Sequence, residues 1–371
     1  MEHKELINWI RLINSNGIGP ISFYKLSEKY GSVQDALEHI DKDKVFSIRE
    51  AEEEIEKANK KGIHIIGLND KEYPESLKSL NDAPPLLYVK GNIDLLNHPI
   101  CVSIVGARNA SIASRKIASK ISFDLTNNDI LVISGMARGI DSAAHKGALY
   151  AKNQSGPTVA VLGSGVDIVY PTENKELYEQ ICNLGAIVSE YPLGTLPQTS
   201  NFPRRNRIVS ALSSAILVIE ASLNSGSLIT AKLGLEQGKD IFAVPSSPID
   251  GKSAGTNKLI KEGAILTECA DDILDVLQYT QSLKIKSFEN KKTTLFANTL
   301  DKVKKSDNIP VKIKKTNVES LIGLIGENGI EIDELIRLSG SNANEIMAKI
   351  TELELDGTLE RINTNTLILK H

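Results

Sequence analysis

Cys101-Val-Ser-Ile-Val-Gly-Ala-Arg-Asn-Ala-Ser111 is the stretch whose reading decides the architecture. A short, mostly apolar run passes through one glycine into polar residues, and a helix is expected from about Ile112. This is the pattern of a strand buried on both faces that hands over to a helix through a tight turn.

The same pattern recurs along the chain. Candidate strands fall at residues 101–105, 131–134, 158–162, 186–190, 216–219, 241–244 and 264–266, with helix-length segments between most of them. Strands alternating with amphipathic helices predict an α/β fold: an extended Rossmann-like, doubly wound and mostly parallel sheet, covered on both faces. In such sheets ligands collect outside the carboxyl ends of the strands.

Outward from this core the chain divides into four parts: residues 1–65 as an N-terminal helical domain, 66–280 as the Rossmann-like domain, 281–315 as a linker and 316–371 as a winged helix. In the first part, Leu6, Ile7, Ile10 and Ile13 have helical spacing, and Asn16-Gly-Ile-Gly-Pro20 leads into a second helix ending near Tyr30. Two helices joined by Gly-Ile-Gly fit either a helix-hairpin-helix, whose backbone N–H groups approach phosphate, or a plain structural hairpin. The linker has ten lysines against Glu289, Asp301 and Asp307 and no apolar period, which predicts a basic tether. The last part has three apolar helical clusters, at Leu321/Leu324/Ile325, Ile332/Leu335/Ile336 and Ile346/Ile350/Leu353, then a hairpin after Asp356-Gly357. With ten acids against four bases it would be repelled by a DNA backbone, so protein contact is expected of it.

The bulk properties exclude more than they select. A chain of 371 residues with 41% hydrophobic and 24% charged residues has ample material for a core. A net charge of −4 gives no global attraction to nucleic acid, so phosphate binding must come from a local patch. Cys101, Cys182 and Cys269 lie far apart, which supports neither a disulfide framework nor a metal site and suggests buried free thiols. The start, Met1-Glu-His-Lys-Glu-Leu-Ile, does not read as a signal peptide, and no apolar run approaches the ~20 residues of a membrane span. A cytoplasmic protein without membrane association is expected.

Several strand-to-helix turns carry candidate binding groups. After the first strand, Arg108 stands beside Ser111 and Ser114 at a helix N-terminus, an arrangement suited to an anion. Neither this turn nor Gly163-Ser-Gly-Val-Asp-Ile168 matches the Gly-x-Gly-x-x-Gly dinucleotide fingerprint, so no cofactor is called for. In Ser134-Gly-Met-Ala-Arg-Gly-Ile-Asp141, Asp141 and His145 are spaced for one helical face, as an acid–base pair or as a cap and a buried histidine. No further carboxylate or nucleophile completes a catalytic set, so no enzyme is expected. Asn201-Phe-Pro-Arg-Arg-Asn-Arg-Ile208 is the most informative stretch. Pro203 suits a first helical turn, which places Arg204, Arg205 and Arg207 where each cation opposes the helix dipole by roughly 0.3–1 kcal/mol. Three such cations make sense around a bound anion, with Phe202 as a stacking face, unless they form salt bridges to Glu190 or Glu220. Asn224-Ser-Gly-Ser-Leu-Ile-Thr230 supplies another hydroxyl-rich turn to the same edge.

Taken in order, these segments resemble the DprA/Smf (DNA processing protein A) family. The likeness rests on Tyr73-Pro-Glu-Ser-Leu77, Ala83-Pro-Pro-Leu-Leu-Tyr-Val-Lys-Gly-Asn92, Val105-Gly-Ala-Arg108 and Ser134-Gly-Met-Ala-Arg-Gly-Ile-Asp141. It continues through Val161-Leu-Gly-Ser-Gly-Val-Asp167, Tyr170-Pro171, Ser189-Glu-Tyr-Pro192, Phe202-Pro-Arg-Arg-Asn-Arg-Ile208, Ser225-Gly-Ser-Leu-Ile-Thr-Ala231 and Ser253-Ala-Gly-Thr-Asn257. The resemblance implies binding of single-stranded DNA and loading of the RecA recombinase during natural transformation. By position it assigns DNA contact to Arg108, Ser134, Gly135, Lys175, Phe202, Arg204, Arg205, Arg207, Ser225, Gly226 and Ser227. It also implies a homodimer formed through Leu259, Ile260 and Leu266 at the end of the Rossmann domain, residues that serve equally as core. Two departures stand out: Val244-Pro-Ser246 replaces the family's Val-Pro-Gly, and Gly238-Lys239 its Gly-Arg. The alternative is a nucleotide-binding or nucleotide-hydrolysing enzyme of the lysine-decarboxylase-like Rossmann group, whose Pro-Gly-Gly-x-Gly-Thr loop is here Asn224-Ser-Gly-Ser-Leu.

Overall fold

A computed structural model describes residues 1–151 and 158–277, together with scattered positions between 330 and 369. The chain divides into two units, Met1–Asn290 and Lys291–His371.

The first unit opens with four helices, α1 (His3–Asn14), α2 (Pro20–Tyr30), α3 (Val33–Glu38) and α4 (Ile48–Lys60). Ile7, Trp9, Ile10 and Leu12 of α1 are buried against Phe23, Ala36 and Ile55, and Trp9 meets Phe23 edge-on at 5.1 Å. The acidic start of α4 is a capping box: Ser47 accepts from the Glu50 N–H, and the Glu50 carboxylate accepts from the Ser47 N–H. Further along α4, Glu54 is buried and accepts a 2.7 Å hydrogen bond from the Leu193 N–H, so it ties the helix to the Rossmann-like part.

That part is built on nine strands: β1 (Ile63–Gly67), β2 (Leu86–Gly91), β3 (Cys101–Gly106), β4 (Leu131–Ser134), β5 (Thr158–Val161), β6 (Ala186–Ser189), β7 (Ala215–Ile219), β8 (Asp240–Ala243) and β9 (Ile265–Leu266). Their spatial order is β1-β2-β6-β5-β4-β3-β7-β8-β9. From β3 the chain winds outward one way through β4, β5 and β6, then returns to β7 on the other side of β3 and winds away through β8 and β9. The boundary between β3 and β7 is therefore a topological switch point, with Val102 of β3 flanked by Val132 and Ala215. β1 and β2 add an antiparallel pair at one edge, a pair that sequence periodicity had not marked as strands.

Helices cover both faces, as the apolar runs require. They are α5 (Glu75–Lys78), α6 (Ile112–Asn127), α7 (Ile140–Leu149), α8 (Lys175–Leu184), α9 (Asn201–Ala211), α10 (Gly226–Glu236) and α11 (Ala254–Lys261). On one face Ile121 and Leu125 of α6 and Ala144 and Ala148 of α7 pack on Ile104 and Leu217. On the other, Ile208, Val209 and Leu212 pack on Val105, Ile133 and Val218. Each of these Val, Leu and Ile side chains contributes about 1.5–3 kcal/mol by leaving water, and the alanines less.

Two expectations need adjustment. Cys101 is buried, but Cys182 is only half-buried and Cys269 is exposed. Leu259 packs against the core and Ile260 is half-buried, whereas Leu266 is 47% exposed on the edge strand β9. Asp141 and His145, for their part, follow the cap-and-buried-histidine alternative rather than the acid–base pair. The Asp141 carboxylate accepts from the Gly135 and Ala137 N–H groups, and His145 is wholly buried on Thr158.

In the second unit, β10 (Ile330–Glu331), β11 (Leu359–Arg361) and β12 (Thr366–Leu369) form an antiparallel sheet in the order β10-β12-β11. Ile346, Ile350 and Leu353 are buried helical positions, in keeping with their spacing. The basic tether at 281–315 lies outside the described residues. Among the described residues, no helix is long and apolar enough to cross a membrane.

Candidate nucleic-acid interface

The turns that leave β3, β4, β5 and β7 at their carboxyl ends meet the first turn of α9 and enclose two adjoining cavities. The larger, about 370 Å³, is lined by Gly106, Arg108, Gly135, Phe202, Arg205 and the Ser225–Ser227 turn. The second, about 280 Å³, shares Arg108, Gly135, Phe202 and Arg205 and extends past Gly163, Tyr170 and Pro171. Both sit at the switch point, where the fold places ligands.

At their shared rim Arg108 is exposed, with its guanidinium 5.1 Å from the centre of the Phe202 ring. Tyr170 lies on the same ring, with centroids 5.6 Å apart and planes tilted by 31°. A permanent cation held over an aromatic face beside a second aromatic ring suits a planar group attached to an anion. Sequence pattern marks Tyr170 only as part of the Tyr170-Pro171 motif and assigns it no role. Its signal was an aromatic residue in a polar turn, where no core position calls for one.

The α9 helix begins as Pro203 predicts, but its arginines diverge. Arg204 is exposed; a side chain added at Gly19, in the turn between α1 and α2, would come within 3.8 Å of its guanidinium. Arg205 is buried, donates from Nη1 to the Val161 carbonyl, and lies beneath Gly135. A Cβ at Gly135 would stand 2.0 Å from Arg205 Nη1, so glycine at this turn is what admits the guanidinium to the cavity floor. Burial lowers the Arg205 pKa, opposed by the Asp141 carboxylate. The same burial raises the Asp141 carboxyl, while Arg205 and the two amides act against it.

Arg207 points elsewhere. Its side chain is 8% exposed and forms ion pairs of 2.8 Å with Asp82 and 2.7 Å with Glu190. The expectation that it touches phosphate gives way to a structural role, because Nε and Nη2 are taken by the two carboxylates and the guanidinium is buried. The Glu190 alternative is the one realised.

Other expected contacts are also redirected. The Ser134 hydroxyl is buried and donates to the Ile104 carbonyl at 2.6 Å, so the turn reaches the cavity through Gly135, Ala137 and Asp141 instead. Lys175 is exposed at the start of α8 and lines neither cavity. At the N-terminus of α6 the anion is internal: both Glu220 oxygens accept from the Ser111 N–H, at 3.1 and 2.9 Å. Burial would raise the Glu220 carboxyl, but hydrogen bonds from Ser114 and Ser111 outweigh it and hold the group below its ordinary range. The Ser225–Ser227 turn stays in place, with Ser225 capping α10 and its hydroxyl 2.6 Å from that of Ser227. Among the described residues no His/Cys/Asp/Glu group suits a metal ion.

Fold and cavity together define an open, doubly wound α/β protein with an aromatic and cationic cavity at its switch point. The chain belongs to the DNA recombination-mediator protein A family, whose sequence profile matches residues 64–278. Residues 3–56 match the DprA-like N-terminal HHH domain and residues 318–363 the DprA winged helix domain. The chain is 43% identical over 207 residues to DNA processing protein DprA of Streptococcus pneumoniae, a match covering 56% of this chain and 72% of that one. It is 34% identical over 300 residues to protein Smf of Escherichia coli, covering 81% and 75%. Among solved structures it is similar to DprA from Streptococcus pneumoniae, with TM-score 0.61 and 34% identity over 72% of this chain and 97% of that one. It is also similar to DNA processing protein A from Helicobacter pylori, described for its single-stranded DNA binding mode, with TM-score 0.53 and 30% identity over 58% and 97%.

Proposed function

We propose that this chain binds single-stranded DNA at the switch-point cavity and passes it to a RecA recombinase during natural transformation and homologous recombination. The observation that carries the reading is the Arg108 guanidinium poised over the Phe202 ring at the cavity rim. A base stacked on Phe202 or Tyr170 and its phosphate on Arg108 use the two chemistries that single-strand binders combine. Arg204 and the Ser225–Gly226–Ser227 turn serve the backbone on the α9 side, and Lys175 lies where a longer strand reaches it. Arg205 and Gly135 shape the floor.

Binding rather than turnover is proposed, because the one carboxylate at the cavity, Asp141, is engaged by two backbone amides and His145 is buried. A nucleotide-hydrolysing enzyme of the related Rossmann group is thereby disfavoured. Homodimerisation through the β9 end of the sheet is supported by Leu266, exposed on the strand that ends the sheet among the described residues. The acidic winged helix is assigned to protein contact, and the protein as a whole to the cytoplasm. The reading is tested by RecA filament formation on a single strand, with and without this protein. Stimulation by the natural chain, lost in the Arg108→Ala/Phe202→Ala double variant, is expected. Stimulation that survives the double variant would show that the cavity is not where the strand is held.

A further inference from the structure

Among the described residues a further cavity, about 550 Å³, lies over the crossing of α6 and α7, outside the switch point. It shares Arg108 and Asn109 with the rim already described, so the two are contiguous. Its charged lining is Arg108, Arg115, Arg138, Lys146 and Glu173, four cations against one carboxylate in a chain whose net charge is −4. Glu173 is matched by Arg138. Arg115 and Lys146 are both exposed and have no acidic partner among the described residues.

The packing places these two cations together. A Cβ at Gly147 would stand 2.1 Å from the Ser119 carbonyl oxygen, so glycine lets α6 and α7 approach backbone to backbone. That close crossing brings Lys146, next in sequence to the glycine, into one concavity with Arg115, a turn before Ser119. Both cations line this one cavity, and among the described residues no ion pair engages either of them. Tyr150, also lining this cavity, is 76% exposed, an aromatic face left in solvent beside the cationic surface. Cations with an unpartnered aromatic ring, joined to a cavity of the same character, match a path for consecutive nucleotides better than a solvated helix face.

We infer that the α6–α7 cavity is a second nucleotide-binding segment, in which Arg115 and Lys146 hold phosphates of the strand leaving the Arg108 rim and Tyr150 stacks one of its bases. This rests on the single-strand reading above and extends it to a direction of travel, from the switch point out across α6 and α7.

The test uses the full chain, a fluorescent single strand of about twenty nucleotides, and a salt series to about 1 M, the range over which phosphate contacts are revealed by counterion release. The natural chain is measured first, and an absence of single-strand binding there would defeat the underlying reading along with this one. For Arg115→Gln/Lys146→Gln, loss of two contacts makes the slope of log affinity against log salt shallower by about 1.4. It weakens binding about tenfold at 0.15 M, with convergence on the natural chain near 1 M. The charge-preserving Arg115→Lys/Lys146→Arg variant restores the slope, and matched thermal melting shows that each variant is folded. Tyr150→Ala, by contrast, weakens binding at every salt concentration. An unchanged slope in the glutamine variant, or a loss equal at all salt concentrations, would overturn the inference.

Discussion

Replacing Arg207 with alanine separates a structural arginine from a DNA-binding one. The guanidinium holds Asp82, 38% exposed, and Glu190, 6% exposed, at 2.8 and 2.7 Å. Without Arg207, Asp82 regains water and loses little, but Glu190 keeps its burial and loses its nearest counter-charge. Removing one partner of a buried pair costs about 3–5 kcal/mol, mostly as the penalty on the stranded charge. Burial already raises the Glu190 carboxyl, with Arg207 the main opposing influence, so the variant raises it further. A carboxyl whose folded pKa is raised takes up its proton more readily when folded than unfolded. The penalty is therefore full at neutral pH and shrinks as acidification neutralises Glu190. The assay is urea unfolding of both chains at about pH 7.5 and pH 5.5, with stability taken from the midpoint shift at constant m. A deficit of about 3–5 kcal/mol at the higher pH, smaller at the lower, is expected, with an unaltered salt dependence of DNA binding in the folded variant. A loss below about 1 kcal/mol together with a salt slope shallower by ~0.7 would mean that Arg207 meets phosphate after all.

Other outcomes follow from the same geometry. Arg108→Ala removes one phosphate contact; titrations against salt should show the slope shallower by about 0.7 and affinity at 0.15 M about fourfold lower, without loss of thermal stability. Phe202→Ala should weaken single-strand affinity by about 1–3 kcal/mol, and a loss that persists at high salt marks it as stacking. Gly135→Ala forces the buried Arg205 guanidinium from beneath the turn, so a lowered melting temperature and weakened DNA binding should appear together. His145, whose folded pKa is lowered to about 3 by burial, stays neutral while the unfolded chain takes up a proton below its ordinary value near 6.5. The stability this neutral histidine supplies is whole above about pH 6.5 and falls by about 2 kcal/mol by pH 5; in His145→Gln, the acid limb of stability against pH should flatten.

The parallel sheet was legible because doubly covered strands must be short apolar runs, and the turns after them must use small or polar residues. β3 to β9 accordingly begin and end within about a residue of where the sequence places them. β1 and β2 were harder to see. The first is a five-residue strand directly after a helix, and the second follows Pro84-Pro85, which reads as loop. Arg205 and Arg207 of α9 lie deeper than charge at a helix start suggests, for an identifiable reason. Arg205, Ile208, Val209 and Leu212 occupy the i, i+3, i+4 and i+7 positions of one face, so helical periodicity already placed Arg205 in the buried stripe. Charge at a helix start was given more weight than the face it lay on. The partner Asp82, 125 residues away in sequence, carried no local signal. Arg115, Lys146 and Tyr150 were missed because their proximity depends on how closely two helices cross, which periodicity within either helix does not reveal.

The most direct test of the account is the binding of a fluorescent single strand, compared with a duplex of the same sequence and with a mononucleotide, across a salt series. Strong preference for the single strand, weakening steeply as salt rises, is expected. Tighter binding of the mononucleotide, or equal binding of single strand and duplex, would contradict it.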